Sequence, residues 1–354
     1  RRAMYENTQI AVVAPSERVR TLATICFGSF CMRKGILPHP LMKNTTPIIE
    51  KTSGGQAKPS LSSLYGELTK IRLSLLVVVT TGAGFIMASP LGIDWQMLLW
   101  TLIGTTACAG SASALNQLAE RTRDKKMHRT ANRPLPAGHL SRAHAFVFGI
   151  ILAYVGISIL SFGANIYAAG IALLTILIYV LVYTPLKPLT TFNTLIGALV
   201  GALPPLIGCV AASGGIDDAG WILAGILFIW QIPHFLALAW LYKDDYKRGG
   251  FKMLPAIDST GELTARVSVV TSLCLIPLAL FMTVIGATGI TFAIGSCLLG
   301  GFMTMKSITF WKKRDNITAR RLFYASIIYL PSIIVIMLLD RETIQWIEVG
   351  LNNV

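Results

Sequence analysis

Where a long apolar stretch runs out, the sequence reads Ala114-Leu115-Asn116-Gln117-Leu118-Ala119-Glu120-Arg121-Thr122-Arg123-Asp124. Asn116, Glu120 and Asp124 are spaced four apart, so on a helix they drift only about 40° per step and share one face. Three oxygen-bearing side chains on one stripe can hold a hard divalent cation such as Mg2+, which bridges carboxylates to phosphate rather than filling an all-protein cage. Immediately downstream stand Lys125, Lys126, His128, Arg129 and Arg133, donors suited to phosphate oxygens. Acids for a cation beside bases for a phosphate are what a diphosphate requires. The competing reading is a solvated loop laced with i,i+4 ion pairs. Asn116 and Gln117 weigh against it, because polar residues inside an apolar helix either work or join helices.

A second set repeats the pattern. Trp230-Gln231-Ile232-Pro233-His234-Phe235 leads through Trp240 to Lys243-Asp244-Asp245-Tyr246-Lys247-Arg248. Asp245, placed across a cavity from the first stripe, would let two groups of carboxylates clamp several Mg2+ ions on one diphosphate. On a helix, Gln231 and His234 lie about 16–21 Å deeper than Asp245. His234 reads either as a histidine bonded to a neighbouring helix or as a group meeting a haem iron or relaying protons. Between the two sets, Tyr183-Thr184-Pro185-Leu186-Lys187-Pro188 carries one charge, Lys187, which suits a phosphate contact and equally a topology signal.

The elements that must position these groups follow from composition. Of 354 residues, 53% are apolar and 14% charged, with mean hydropathy +0.62. Soluble domains carry about a quarter charged residues, so the chain falls outside that class, and its hydrophobicity excludes disorder. From Leu73 onward nine apolar segments appear: 73–89, 96–117, 143–162, 165–183, 193–212, 219–241, 267–286, 289–305 and 322–339. Each is long enough to cross a hydrocarbon core of about 30 Å as a helix. Lipid demands internally paired backbone, and the ten-residue alternation of a membrane barrel is missing. The fold class is therefore an all-α integral membrane protein, nine transmembrane helices in a bundle with two long loops on one face.

Charge placement supports that reading. The loops after even-numbered helices hold seven, one, five and six Lys/Arg, and the loops after odd-numbered ones hold none. This is a positive-inside pattern that puts the N-terminus and every even loop on one face. It accounts for the net charge of +14 without nucleic acid. The long loops 120–142 and 243–266 share that face, where loops of such length tend to be functional. Residues 1–60 are basic, hydroxylated and poor in acids, the composition of an organellar presequence; an ordinary basic tail is the alternative. The membrane domain is expected at 65–342, with a short tail at 343–354. The six cysteines support neither a zinc site nor a disulfide framework and read as small buried hydrophobes.

Taken together, these residues resemble the UbiA-type intramembrane prenyltransferase superfamily, and within it the protohaem IX farnesyltransferase (haem O synthase) branch. Three features carry the resemblance over about residues 65–340. The first is Asn116-x3-Glu120-x3-Asp124-x2-Met127-x-Arg129-Thr130 with Arg133-Pro134-Leu135. The second is Tyr183-Thr184-Pro185-Leu186-Lys187 followed by Asn193, Gly197, Gly201 and Pro204-Pro205. The third is Trp230-Gln231-x-Pro233-His234-Phe235 leading to Asp245-Tyr246. Pro188 departs from the second basic residue common in the family, and Ile71 from a common proline. Asp245 has Gly249 four residues later, not the acid of quinone-type members, which favours the haem branch over quinone- or chlorophyll-type relatives. The resemblance implies that farnesyl diphosphate alkylates a vinyl group of haem b, with addition of water, to give haem O and diphosphate. It implies Mg2+ on Asn116, Glu120, Asp124 and Asp245, diphosphate contacts from Arg129, Arg133, Lys187 and Lys243, and a haem or polar pocket at Gln231, His234 and Tyr246. The inside-positive loops and the presequence-like start lead to the expectation of the mitochondrial inner membrane with the site facing the matrix, and the resemblance adds the downstream haem A synthase as a candidate partner in cytochrome oxidase biogenesis. A secondary transporter of an anionic substrate is a remoter reading, since its polar groups would gather at mid-membrane.

Overall fold

The computed structural model describes residues 60–89 and 92–352, with side chains through Arg341. The expected presequence, with Cys26 and Cys31, lies outside the described residues. Nine helices among them are long and apolar enough to span a membrane. They are α1 (Ile71–Ala88), α2 (Trp95–Asp124), α3 (Arg142–Gly163), α4 (Ile166–Leu186), α5 (Asn193–Ser213), α6 (Asp218–Leu241), α7 (Glu262–Val284), α8 (Ile290–Lys313) and α9 (Asn316–Asn352). The 289–305 segment extends as helix to Lys313. Residues expected as a separate tail continue α9 to Asn352.

Side-chain caps start several of these helices. Asp94 Oδ1 accepts the Met97 N–H at 2.9 Å, Asn165 Oδ1 the Ala168 N–H at 2.9 Å and Asp217 Oδ1 the Gly220 N–H at 2.7 Å. Each satisfies a donor that the first turn leaves open, so these far-face polar residues have a structural purpose.

Consecutive spans are neighbours around a circuit that closes between α9 and α1, while α1 also lies along α5 and α6 along α9. Close approach depends on small residues, because lipid provides no hydrophobic drive for helices to associate. A Cβ at Gly84 would overlap the Pro205 carbonyl on α5, and one at Gly208 would overlap the Thr81 carbonyl on α1. Buried hydrogen bonds supplement this packing: Ser272 to Ser307 between α7 and α8 at 2.8 Å, and Trp230 Nε1 to the Ser326 carbonyl between α6 and α9 at 2.7 Å. Cys108 and Cys209 are buried as expected, but Cys274 and Cys297 are exposed on α7 and α8. Apolar runs in a membrane helix have a lipid-facing side as well as a core side, which the run alone does not reveal.

Candidate functional site

At the exit of α2, Asn116, Glu120 and Asp124 are all buried, and each meets a cation from a different segment. Lys70, just before α1, donates from Nζ to Asn116 Oδ1 at 2.9 Å. Lys187 Nζ, just after α4, lies 2.7 Å from Glu120 Oε1. Arg133, in the loop after α2, binds Asp124 Oδ2 at 2.7 Å. Three acid or amide groups on one stripe thus face three cations drawn together from over a hundred residues of chain.

The two lysines have opposite electrostatics. Burial pulls Lys70 down to about 7, and repulsion from Arg133 and Lys187 adds to it, against partial help from Glu120 and Asp124. Burial also opposes charge on Lys187, but the Glu120 carboxylate beside it outweighs that and holds its pKa above the ordinary lysine value. Lys70 further adopts φ 49°, a left-handed backbone that a side chain bearing a Cβ seldom takes. Such conformations persist where the surroundings enforce them, often at functional sites.

The short loop that carries Lys187 is shaped by Pro185. Proline lacks an N–H and crowds the preceding turn, and the segment Ile178–Tyr183 loosens into a π-helix just before it. Thr184 Oγ1 then donates to the Tyr179 carbonyl at 2.8 Å and accepts from Asn116 Nδ2 at 2.9 Å. Asn116 is therefore fixed at both ends of its amide. Lys187 sits 4.5 Å from the Tyr183 ring centroid, and its carbonyl accepts the Lys252 N–H at 2.8 Å.

Lys252 belongs to the second long loop, so three of the four basic-side loops interlock, those after α2, α4 and α6. Asp245, on a short helix Lys243–Gly249, accepts the backbone N–H of His128 at 3.2 Å and of Arg129 at 3.3 Å, and pairs with Arg248. Partial burial opposes ionisation of Asp245, but Arg248 and the two N–H groups prevail and keep its pKa below the usual carboxylate range. Arg123 reaches the Gly249 carbonyl at 3.1 Å from the other direction. The two stretches that the sequence placed on one face therefore meet there directly.

The remaining expected residues are distributed as follows. Arg129 lies over the Tyr242 and Tyr246 rings, at 5.1 and 6.0 Å. Lys243 stacks on Trp240 at 4.8 Å, at the end of α6. Inside α6, Gln231 donates to the Leu227 carbonyl at 3.2 Å and lies against Gly201, where a Cβ would overlap it. His234 Nδ1 bonds Ser326 Oγ at 2.8 Å, and its ring is stacked between Trp230 and Phe323 at 5.1 and 4.9 Å. Lys70, Thr184 and Tyr183 were not among the expected site residues. A lone lysine directly before the first apolar run, and a threonine–proline pair ending the fourth, were the signals available.

Among the described residues no three of His, Cys, Asp and Glu converge on a metal-sized centre, and the Asp245 carboxylate is taken up by the His128 and Arg129 N–H groups and by Arg248. The stripe itself suits a hard cation. Its donors are oxygens, and Asp124 Oδ1 is buried without a hydrogen-bond partner.

A family model described as the UbiA prenyltransferase family matches residues 77–328. A protoheme IX farnesyltransferase of Solibacter usitatus is 41% identical over 286 residues, covering 78% of this chain and 98% of the relative. A mitochondrial protoheme IX farnesyltransferase of Arabidopsis thaliana is 41% identical over 278 residues, covering 78% and 64%. Among solved structures, one concerning digeranylgeranylglyceryl phosphate synthase superposes with TM-score 0.67 at 19% identity, covering 78% of this chain and 97% of that one. A UbiA homologue from Archaeoglobus fulgidus, described as bound to DMAPP and Mg2+, gives TM-score 0.56 at 14% identity, with 78% and 99% covered. At these identities the structural likenesses speak to fold alone.

Proposed function

The chain belongs to the UbiA prenyltransferase family, and from that premise we propose that it farnesylates haem b to haem O, releasing diphosphate. The observation that carries the site assignment is the meeting of Asn116, Glu120 and Asp124 with Lys70, Lys187 and Arg133 at one membrane boundary. Farnesyl transfer breaks the allylic C–O bond, and its electron pair departs with the diphosphate. The resulting cation takes the π electrons of a haem vinyl group; water then bonds the vinyl carbon left positive and sheds a proton.

Asn116, Glu120 and Asp124 would hold the Mg2+ that this family implies, and the ion supplies charge neutralisation to the leaving diphosphate when bound. Lys187 stays protonated through the neutral range and presents fixed positive charge to the same group. Arg133 adds a guanidinium suited to two phosphate oxygens, and Arg129 stands above Tyr242 at the loop edge. Asp245 positions the loop bearing both arginines. Lys70 orients Asn116, and Thr184 completes that grip. The apolar bundle encloses the farnesyl chain and keeps water from quenching the cation early. Gln231 and His234, deeper in α6, meet the acceptor, and Tyr246 borders its entry. Lys243, stacked on Trp240, serves the loop surface rather than the diphosphate.

The relatives' names and the positive-inside pattern support a multi-pass location in the mitochondrial inner membrane with the acid stripe toward the matrix. Haem O made there would pass to the downstream haem A synthase. The test is direct: purified protein receives farnesyl diphosphate with either haem b or 4-hydroxybenzoate, and products are identified by mass. A farnesylated, hydrated haem from the first mixture alone supports the proposal. A prenylated phenol alone transfers the chain to the quinone-type reading.

A further inference from the structure

Away from the acid stripe, a groove of about 410 Å3 runs between α7 and α8. Its walls are Ile276 on α7 and Gly301, Thr304, Met305, Ile308 and Thr309 on α8, the two threonine hydroxyls turned back onto helix carbonyls, and it ends at Lys312 and Lys313. Three observations bear on what fills it. First, from Gly301 to Lys313 the groove follows α8 for about 18 Å, close to the ~15 Å depth of one leaflet. Second, a Cβ built on Gly301 meets nothing within 4 Å, so the glycine borders open space instead of a neighbouring helix. Third, the polar end carries two lysines with no ion pair among the described residues. Glu262 nearby is engaged by Arg266 at 2.5 Å and Arg314 at 3.2 Å. Asp315, whose charge Lys313 feels, gives its carboxylate to the Thr318 N–H and hydroxyl at 2.7 Å each.

A mostly apolar groove one leaflet deep, ending at the basic face in two ammonium groups of which only Lys313 has an acid, Asp315, within electrostatic reach, matches a molecule with a hydrocarbon tail and an anionic head. We propose that the α7–α8 groove binds one anionic phospholipid of the surrounding bilayer, its acyl chain along α8 toward Gly301 and its phosphate on Lys312 and Lys313. Basic pockets between helices on the matrix or cytoplasmic side have this character, since each cation near an anionic headgroup adds to affinity. A second copy of the chain seated symmetrically on this face would bring lysines up against lysines, which disfavours that occupant.

The test uses the full chain purified in neutral detergent and titrated with dioleoyl phosphatidylglycerol or dioleoyl phosphatidylcholine, with retained lipid counted by native mass spectrometry. The wild type should favour phosphatidylglycerol by about thirtyfold, the effect expected of two lysines at a headgroup. The preference should vanish in the double variant K312Q/K313Q, and G301L, which fills the groove, should lose retention of both lipids at least tenfold. Inorganic phosphate in excess should not displace the lipid, and farnesyl transfer in neutral nanodiscs should be unchanged in both variants. Equal retention of the two lipids by the wild type would overturn the proposal. So would a surviving preference in K312Q/K313Q, wild-type retention in G301L, displacement by inorganic phosphate, or a wild-type dimer that G301L dissociates.

Discussion

Replacing Asp245 separates two roles that a carboxylate at this position could have. In the structure it receives N–H bonds from His128 and Arg129 and pairs with Arg248. Hydrogen bonds to a charged acceptor contribute about 1.5–3 kcal/mol each, and lengths of 3.2 and 3.3 Å place these near the lower figure. The Arg248 side chain is 45% exposed, so that pair adds at most about 1 kcal/mol. Asp245→Ala therefore loosens the loop by about 3 kcal/mol, or roughly a hundredfold in the docked population. Asp245→Asn keeps one acceptor oxygen and should lose only about tenfold. Because that loop carries Arg129 and Arg133, the loss should fall mainly on KM for farnesyl diphosphate. Amide hydrogen exchange at His128 and Arg129 should accelerate in both variants, while the Mg2+ concentration giving half-maximal activity stays put. A raised Mg2+ requirement with loop protection unchanged would refute the reasoning and return Asp245 to the cation.

Asp124→Ala should abolish turnover with the helical circular dichroism intact, and Asp124→Asn should raise the Mg2+ requirement, since Asp124 Oδ1 is the buried oxygen left open; unchanged activity would remove Asp124 from the site. Gly208→Ala forces a Cβ into the Thr81 carbonyl and should destabilise the α1–α5 contact by about 1–3 kcal/mol, read as a lower thermal midpoint in detergent. Asp258 accepts the Gly261 N–H and the Thr264 N–H and hydroxyl at 2.8–2.9 Å. Burial opposes its charge, but those bonds win and lower its pKa. Its stabilisation is therefore present above the unfolded value of about 3.9 and lost as pH falls through the folded one, so Asp258→Asn should flatten the acid limb of the unfolding profile.

The nine spans, their alternation and the basic face were legible because each is a local property: run length against bilayer thickness, and lysine or arginine counts between runs. Asn116, Glu120 and Asp124 were legible as a stripe for the same reason, since helical spacing alone sets their common face. Tertiary structure decided who answers them. Lys70, Lys187 and Arg133 come from three segments whose convergence depends on how α1, α2 and α4 pack, and no spacing rule encodes that. Asp245 shows the same division: its presence at the basic face followed from sequence, but whether it faces a cation or two backbone N–H groups depends on where the neighbouring loop lies. Which cysteines face lipid was hidden too, because a uniformly apolar helix carries no periodic mark of its inner side. Short-range geometry is written along the chain, whereas partner choice across helices is settled by packing.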